Sequence, residues 1–126
     1  LSFTEGDAAF VVFHSVNDAV KWALLVQERL LELPWPPELL AHPSGREESS
    51  RNLSLTGEAV ETGPGAAPTA LFRGLRVRIG IHRSGDEAGA TSQEKNSSKI
   101  VYSGFAPSLT RVVCDAGAGG AITITG

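Results

Sequence analysis

Apolar residues recur along this chain in two rhythms. From Ala8 to Phe13 the run "AAFVVF" is almost continuously apolar, the pattern of a strand covered on both faces. Residues 1–4 and 7–13 read as two strands joined across Glu5-Gly6, and that short Gly-containing connection predicts a hairpin. The rhythm then changes. Val16, Ala19, Val20, Ala23, Val26 and Leu30 recur at helical spacing, with Ser15 placed to cap the helix and Asp18 in its first turn. "PWPP", Pro34 to Pro37, ends it, because proline lacks the N–H and clashes with the preceding turn. Residues 38–70 keep no period. They are rich in Ser, Gly, Pro, Glu and Ala and read as a flexible surface insertion. "LRVRIGIH", residues 75–82, alternates: Leu75, Val77, Ile79 and Ile81 share one face, opposite Arg76, Arg78, Gly80 and His82. A polar loop follows, then the short strand "KIVYSG". Pro107 opens a last helix with the stripe Leu109, Val112, Val113 and Ala116, Gly117 suits its C-terminal cap, and "AITIT" is a final strand. Helices interleaved with a mostly antiparallel set of strands make an α+β layout.

Composition narrows this picture. One domain is the expectation for 126 residues, and the balance of 41% hydrophobic and 20% charged residues is globular. The net charge of -3 gives no basic excess with which to neutralise phosphates, so nucleic-acid binding is not expected. A single cysteine, Cys114, excludes an internal disulfide framework and a CxxC zinc site. No run reaches the roughly 18 apolar residues of a membrane span, and no signal-peptide pattern is present. The chain starts at Leu1, already inside a strand-like run, which marks it as a piece of something longer.

Asp7 is the leading candidate for chemistry. A carboxylate directly after a tight turn is held at the edge of a strand, and hard cations such as Mg²⁺ take carboxylate oxygens together with substrate phosphates. Ordinary turn chemistry, with Glu5 and Asp7 both solvated, explains the same residues. His14, His42 and His82 have no metal-ligand spacing and read as structural or solvated. Cys114 reads as core filler, since nothing near it in sequence would lower its pKa. "GAGG", residues 117–120, follows a helix rather than preceding one, so it is a cap and turn and not a phosphate cradle. Arg73, Arg76, Arg78 and Arg83 cluster locally, with a solvated strand face as the simpler account. Asn52 and Asn96 open glycosylation sequons, which function only in a secreted setting.

Four segments in order, "TEGDAAFVVF", "AVKWALLVQERLLELPWP", "LFRGLRVRIGIH" and "YSG" followed by a helix and "GG", resemble the catalytic domain of class III adenylyl/guanylyl cyclases. The "PWP" and the long insertion resemble microbial-eukaryote versions, including algal ones. The resemblance implies a ferredoxin-like sheet with helices on one face, here truncated at the N-terminal strand and helix. It implies a site at a head-to-tail dimer interface that converts ATP or GTP to a 3′,5′-cyclic monophosphate and pyrophosphate. It further implies two Mg²⁺ or Mn²⁺ ions and an intracellular setting, such as the cytoplasmic side of a membrane-anchored parent. Asp7 matches the second metal aspartate of the family; the first falls upstream of Leu1. Glu5 is a turn residue.

The departures lie in the nucleotide half. The base-selecting positions fall on Phe3 and Val101, where a Lys and an Asp are common. The Asn and Arg that contact ribose and triphosphate fall on Ser108 and Val112. Arg111 stands one position early, and one residue turns a helical side chain by about 100°. Arg111 substitutes only if the helix is displaced. Two readings stand: a half-site that gives Asp7 to a homo- or heterodimeric partner, or a degenerate pseudo-cyclase that only dimerises and regulates. An unrelated α+β ligand-binding domain is a third. The loss of a first strand and helix predicts poor stability in isolation, with an open apolar edge.

Overall fold

A computed structural model describes residues 2–49, 69–85, 90–93 and 100–125. The sequons at Asn52 and Asn96, most of the 38–70 insertion and part of the loop after His82 lie outside the described residues. The fold is α+β, as the alternation of patterns predicts. Its described strands pair as four two-stranded ladders, and the chain divides into two compact units. The first comprises Leu1–Leu24 with Arg78–Gly126, and the second Leu25–Val77.

In the first unit, β1 (Ser2–Glu5) and β2 (Ala8–Val11) form an antiparallel hairpin. β5 (Ile79–His82) pairs in parallel with β8 (Ile122–Thr125), in register from Ile79↔Ile122 to His82↔Thr125. β6 (Ala90–Gln93) and β7 (Ile100–Ser103) pair antiparallel. The helix α3 (Phe105–Ala116) packs on β5 and β8. Contact is close at Gly80, where a Cβ would stand 2.6 Å from the Cys114 backbone nitrogen. A parallel pair needs a crossover, and a helix laid on the ladder supplies one.

The helix α1 (Val16–Glu32) begins as its sequence predicts. Ser15 Oγ accepts the Asn17 N–H at 3.1 Å, and the Ser15 carbonyl accepts the Ala19 N–H at 3.2 Å. Ala19 and Ala23, on the predicted stripe, are buried. Helix residues from Leu25 onward belong to the second unit, with α2 (Pro37–Ala41), β3 (Glu48–Ser49) and β4 (Ala70–Phe72). Here the carbonyls left over at the end of α1 find side-chain donors. Trp35 Nε1 donates to Leu30 O at 2.7 Å, and Arg73 Nη1 donates to Leu31 O at 3.2 Å and Leu33 O at 2.7 Å. Gln27 Nε2 donates to Val77 O at 2.8 Å. The segment after β4 is thus fastened along the C-terminal half of α1.

Several expectations change. β2 is not covered on both faces: Ala8 and Ala9 are exposed, and Val12 just beyond it is 38% exposed. β5 starts at Ile79, not Leu75. Arg76 and Arg78 are drawn off instead, to Glu48 at 3.6 Å and Asp115 at 3.5 Å. The arginines are therefore not a plain solvated face. Arg76 has a side chain only 16% exposed, donates to Arg46 O at 2.6 Å, and lies over the Phe72 ring at 4.9 Å. The strand β6 and the helix α2 arise in stretches without a usable period. α3 begins at Phe105, so Pro107 occupies its third position, still within the turn whose N–H groups have no helical acceptor.

Candidate functional site

Glu5 and Ala8 are ladder partners, so Gly6 and Asp7 alone make the turn between β1 and β2. Gly6 has φ +61, and no described non-glycine residue has positive φ. Positive φ at the first turn position only is the type II′ pattern, which Gly favours and whose twist suits an antiparallel pair. The "EGD" sequence thus produces a short turn anchored on both sides, with Asp7 exposed at its tip.

The other candidates enter from α3 and the strands. Arg111 Cζ lies over the Phe10 ring, 5.7 Å from its centroid, within the roughly 6 Å range of a cation–π contact. Phe10 stands opposite Phe3 in the ladder. Positions 3 and 10 are thus paired on the hairpin that carries Asp7, and Arg111 reaches position 10 from α3. Ser108 is exposed, and its hydroxyl donates back to Gly104 O at 3.2 Å. Val112 is 62% exposed rather than part of a buried stripe; Val113 takes the buried position at 5%. Val101 lies on β7 opposite Ser92, and α3 touches β7. The contact of Phe10 with Arg111 was not legible in the sequence, because the two meet only through the fold and no local motif joins them.

A hard cation needs several oxygen donors. Among the described residues no group of three or more His, Cys, Asp or Glu side chains could hold a metal. The Asp7 carboxylate has suitable donor chemistry, but it fits a metal only as one arm of a larger donor set. His42 and His82 follow the structural reading. His42 Nδ1 accepts the Ser44 N–H at 3.1 Å, and His82 Nδ1 shares a 2.8 Å hydrogen bond with Thr125 Oγ1 at the end of the parallel ladder. Cys114 Sγ donates to Arg78 O at 3.7 Å, and the thiol is half-buried. Among the described residues, no helix is long and apolar enough to cross a membrane.

Comparison with known proteins adds a family context. Over 79 residues, 63% of the chain, the sequence is 39% identical to an adenylate cyclase of Mycosarcoma maydis, matching 3% of that protein. It is 38% identical over 79 residues to an adenylate cyclase of Schizosaccharomyces pombe, 63% of the chain and 4% of that protein. A longer match, 29% identical over 121 residues, covers 95% of the chain and 6% of an Acanthamoeba polyphaga mimivirus protein named in the serine/threonine-protein kinase/receptor class. No family model matches the chain, and no solved structure does. The chain thus contains a region related to adenylate cyclases and spans only 3–6% of the length of these relatives.

Proposed function

We propose that this chain is part of a nucleotide cyclase domain, converting a nucleoside triphosphate to its 3′,5′-cyclic monophosphate and pyrophosphate in cyclic-nucleotide signalling. The observation that carries this reading is Asp7, presented on an anchored two-residue turn in a chain related to named adenylate cyclases. In the reaction the 3′-oxygen forms a bond to the α-phosphorus. The bond from that phosphorus to the bridging oxygen breaks, pyrophosphate leaves, and the hydroxyl proton is released. A divalent cation, Mg²⁺ or Mn²⁺, would neutralise phosphate charge and favour the ionised 3′-hydroxyl. Asp7 would give that cation one carboxylate arm, with the remaining donors supplied at a dimer interface. Arg111 would meet the phosphate chain, as a guanidinium matches phosphate oxygens in geometry and charge. Phe3, Val101 and Ser108 would face the base and ribose.

A second reading is a catalytically degenerate module that dimerises and regulates. Val112, apolar and 62% exposed on α3, favours it, together with the apolar Phe3 and Val101. One experiment separates the two. The protein is assayed alone and with candidate partner domains, with ATP or GTP and Mn²⁺, and both cyclic products are measured. The cyclase reading expects product that chelation abolishes. It also expects Asp7→Ala to lower the rate by about a hundredfold or more, since even outer partners of metal ligands cost about 10–100-fold. A dimer with no product in any pairing sinks the cyclase reading and leaves the regulatory one.

A further inference from the structure

We infer that residues 45–49 and 70–76 form a self-closing clasp at the end of α1, with Arg76 as its latch, so that the conformation around Trp35 does not depend on the chain between Ser49 and Ala70. The inference is independent of the cyclase reading.

The two arms of the clasp meet first through their backbones. The Gly74 N–H donates to Gly45 O at 2.9 Å, and β3 pairs with β4 at Glu48↔Phe72 and Ser49↔Ala70. A ladder this short is marginal on its own, so side chains decide whether the arms stay together. Arg76, on the second arm, reaches the first at two points. Its Nη2 donates to Arg46 O at 2.6 Å and stands 3.6 Å from the Glu48 carboxylate. Its Nη1 donates to Gly74 O at 3.2 Å, and the guanidinium lies over the Phe72 ring at 4.9 Å. The side chain is largely shielded from water, and hydrogen bonds from an ionised donor are the strong kind. The other ion pairs are longer, Arg46–Glu48 at 3.9 Å and Arg73–Glu47 at 4.0 Å, and each has one partner well exposed. Exposed pairs of that kind add little stability. The arms are also moored beyond each other. Arg73 donates to Leu31 O and Leu33 O. A Cβ on Gly74 would overlap the Trp35 indole, and one on Gly45 would overlap Leu39 O. Each of these partners lies within 30–49 or 70–76. The chain leaves at Ser49 and returns at Ala70 as ladder partners, the separation that a two-residue hairpin turn closes. The clasp thus insulates the end of α1 from the length and composition of the stretch 50–69.

The test replaces residues 50–69 with a two-residue Asn-Gly turn in the otherwise full chain, in a Trp22→Phe background so that Trp35 alone reports. Trp35 emission is expected to match that of the parent. The urea midpoint is expected to hold or rise, since a shorter closed loop loses less entropy. A lowered midpoint, or loss of the Trp35 transition, would overturn the inference. Two substitutions in the shortened chain then locate the latch. Arg76→Lys keeps the charge but not the fork that reaches Arg46 O, Gly74 O and Glu48 together, and is expected to lower the folding equilibrium constant about tenfold. Arg46→Gln removes only an exposed pair and is expected to change it less than about twofold. Equal effects of the two would remove Arg76 as the latch. Should Arg76→Lys leave no measurable transition, Phe72→Leu takes its place. It deletes only the ring beneath the guanidinium, with an expected loss of about two- to fivefold; an effect no larger than that of Arg46→Gln would again count against the latch.

Discussion

Gly6 and Gly74 both adopt positive φ, +61 and +82, yet they answer to different constraints. A Cβ on Gly6 would meet nothing within 4 Å, whereas on Gly74 it would run into the Trp35 indole. Gly6→Ala therefore meets backbone strain alone, about 1–3 kcal/mol. Gly74→Ala meets similar strain plus overlap with a ring that is tied to Leu30 O through its N–H. Overlap of this kind costs about 1–3 kcal/mol more. Urea unfolding of the two variants should rank Gly74→Ala as the more destabilised, with an altered Trp35 environment; the reverse order would refute the packing account. Asp7 and Arg111 were legible in the sequence as residue types in suggestive places. Phe10 was not, since nothing local distinguishes it from its apolar neighbours in "AAFVVF".

At the scale of elements, α1 was legible at both ends because its signals are local: Ser15 at the start and the Pro34–Pro37 cluster beyond the finish. β5 was not, because ion pairs from residues distant in sequence decide where Arg76 and Arg78 go. β6, "ATSQ", carries no apolar alternation and is defined by its ladder partner β7 alone. In α3 the sequence marked a stripe of Leu109, Val112, Val113 and Ala116, but the buried face is rotated so that Val113 goes in and Val112 faces out. The end of α1 yields a test. Arg73 serves Leu31 O in its last turn and Leu33 O just beyond it from a single nitrogen and has a side chain 28% exposed. Hydrogen bonds from a charged donor are worth about 1.5–3 kcal/mol when well shielded, and less at a rim. Arg73→Ala should lower stability by about 1–2 kcal/mol, measured by urea unfolding followed at Trp35. A loss below a few tenths would mean that water replaces the guanidinium without penalty.

For the molecule as a whole, the buried hydrophobic residues among those described are Ala19, Ala23 and Val113, and no large side chain is fully enclosed. Leu24, Leu25, Leu75, Phe105, Val112 and Ile124 are all at least 48% exposed. Small buried side chains remove little apolar area from water, at roughly 25 cal/mol per Å². The isolated 126-residue chain should therefore melt broadly and bind a hydrophobic dye, and a complementary cyclase domain should sharpen the transition. A sharp, concentration-independent calorimetric peak from the chain alone would contradict this. The two tryptophans of the sequence fall one in each compact unit, Trp22 in the first and Trp35 in the second. Trp22 packs at a tilt against Phe13, 5.6 Å between ring centroids, whereas Trp35 has its N–H committed to a backbone carbonyl. Each half thus carries its own optical label. Replacing either indole with phenylalanine makes the chain a single-colour instrument, able to report whether the halves come apart together or in sequence.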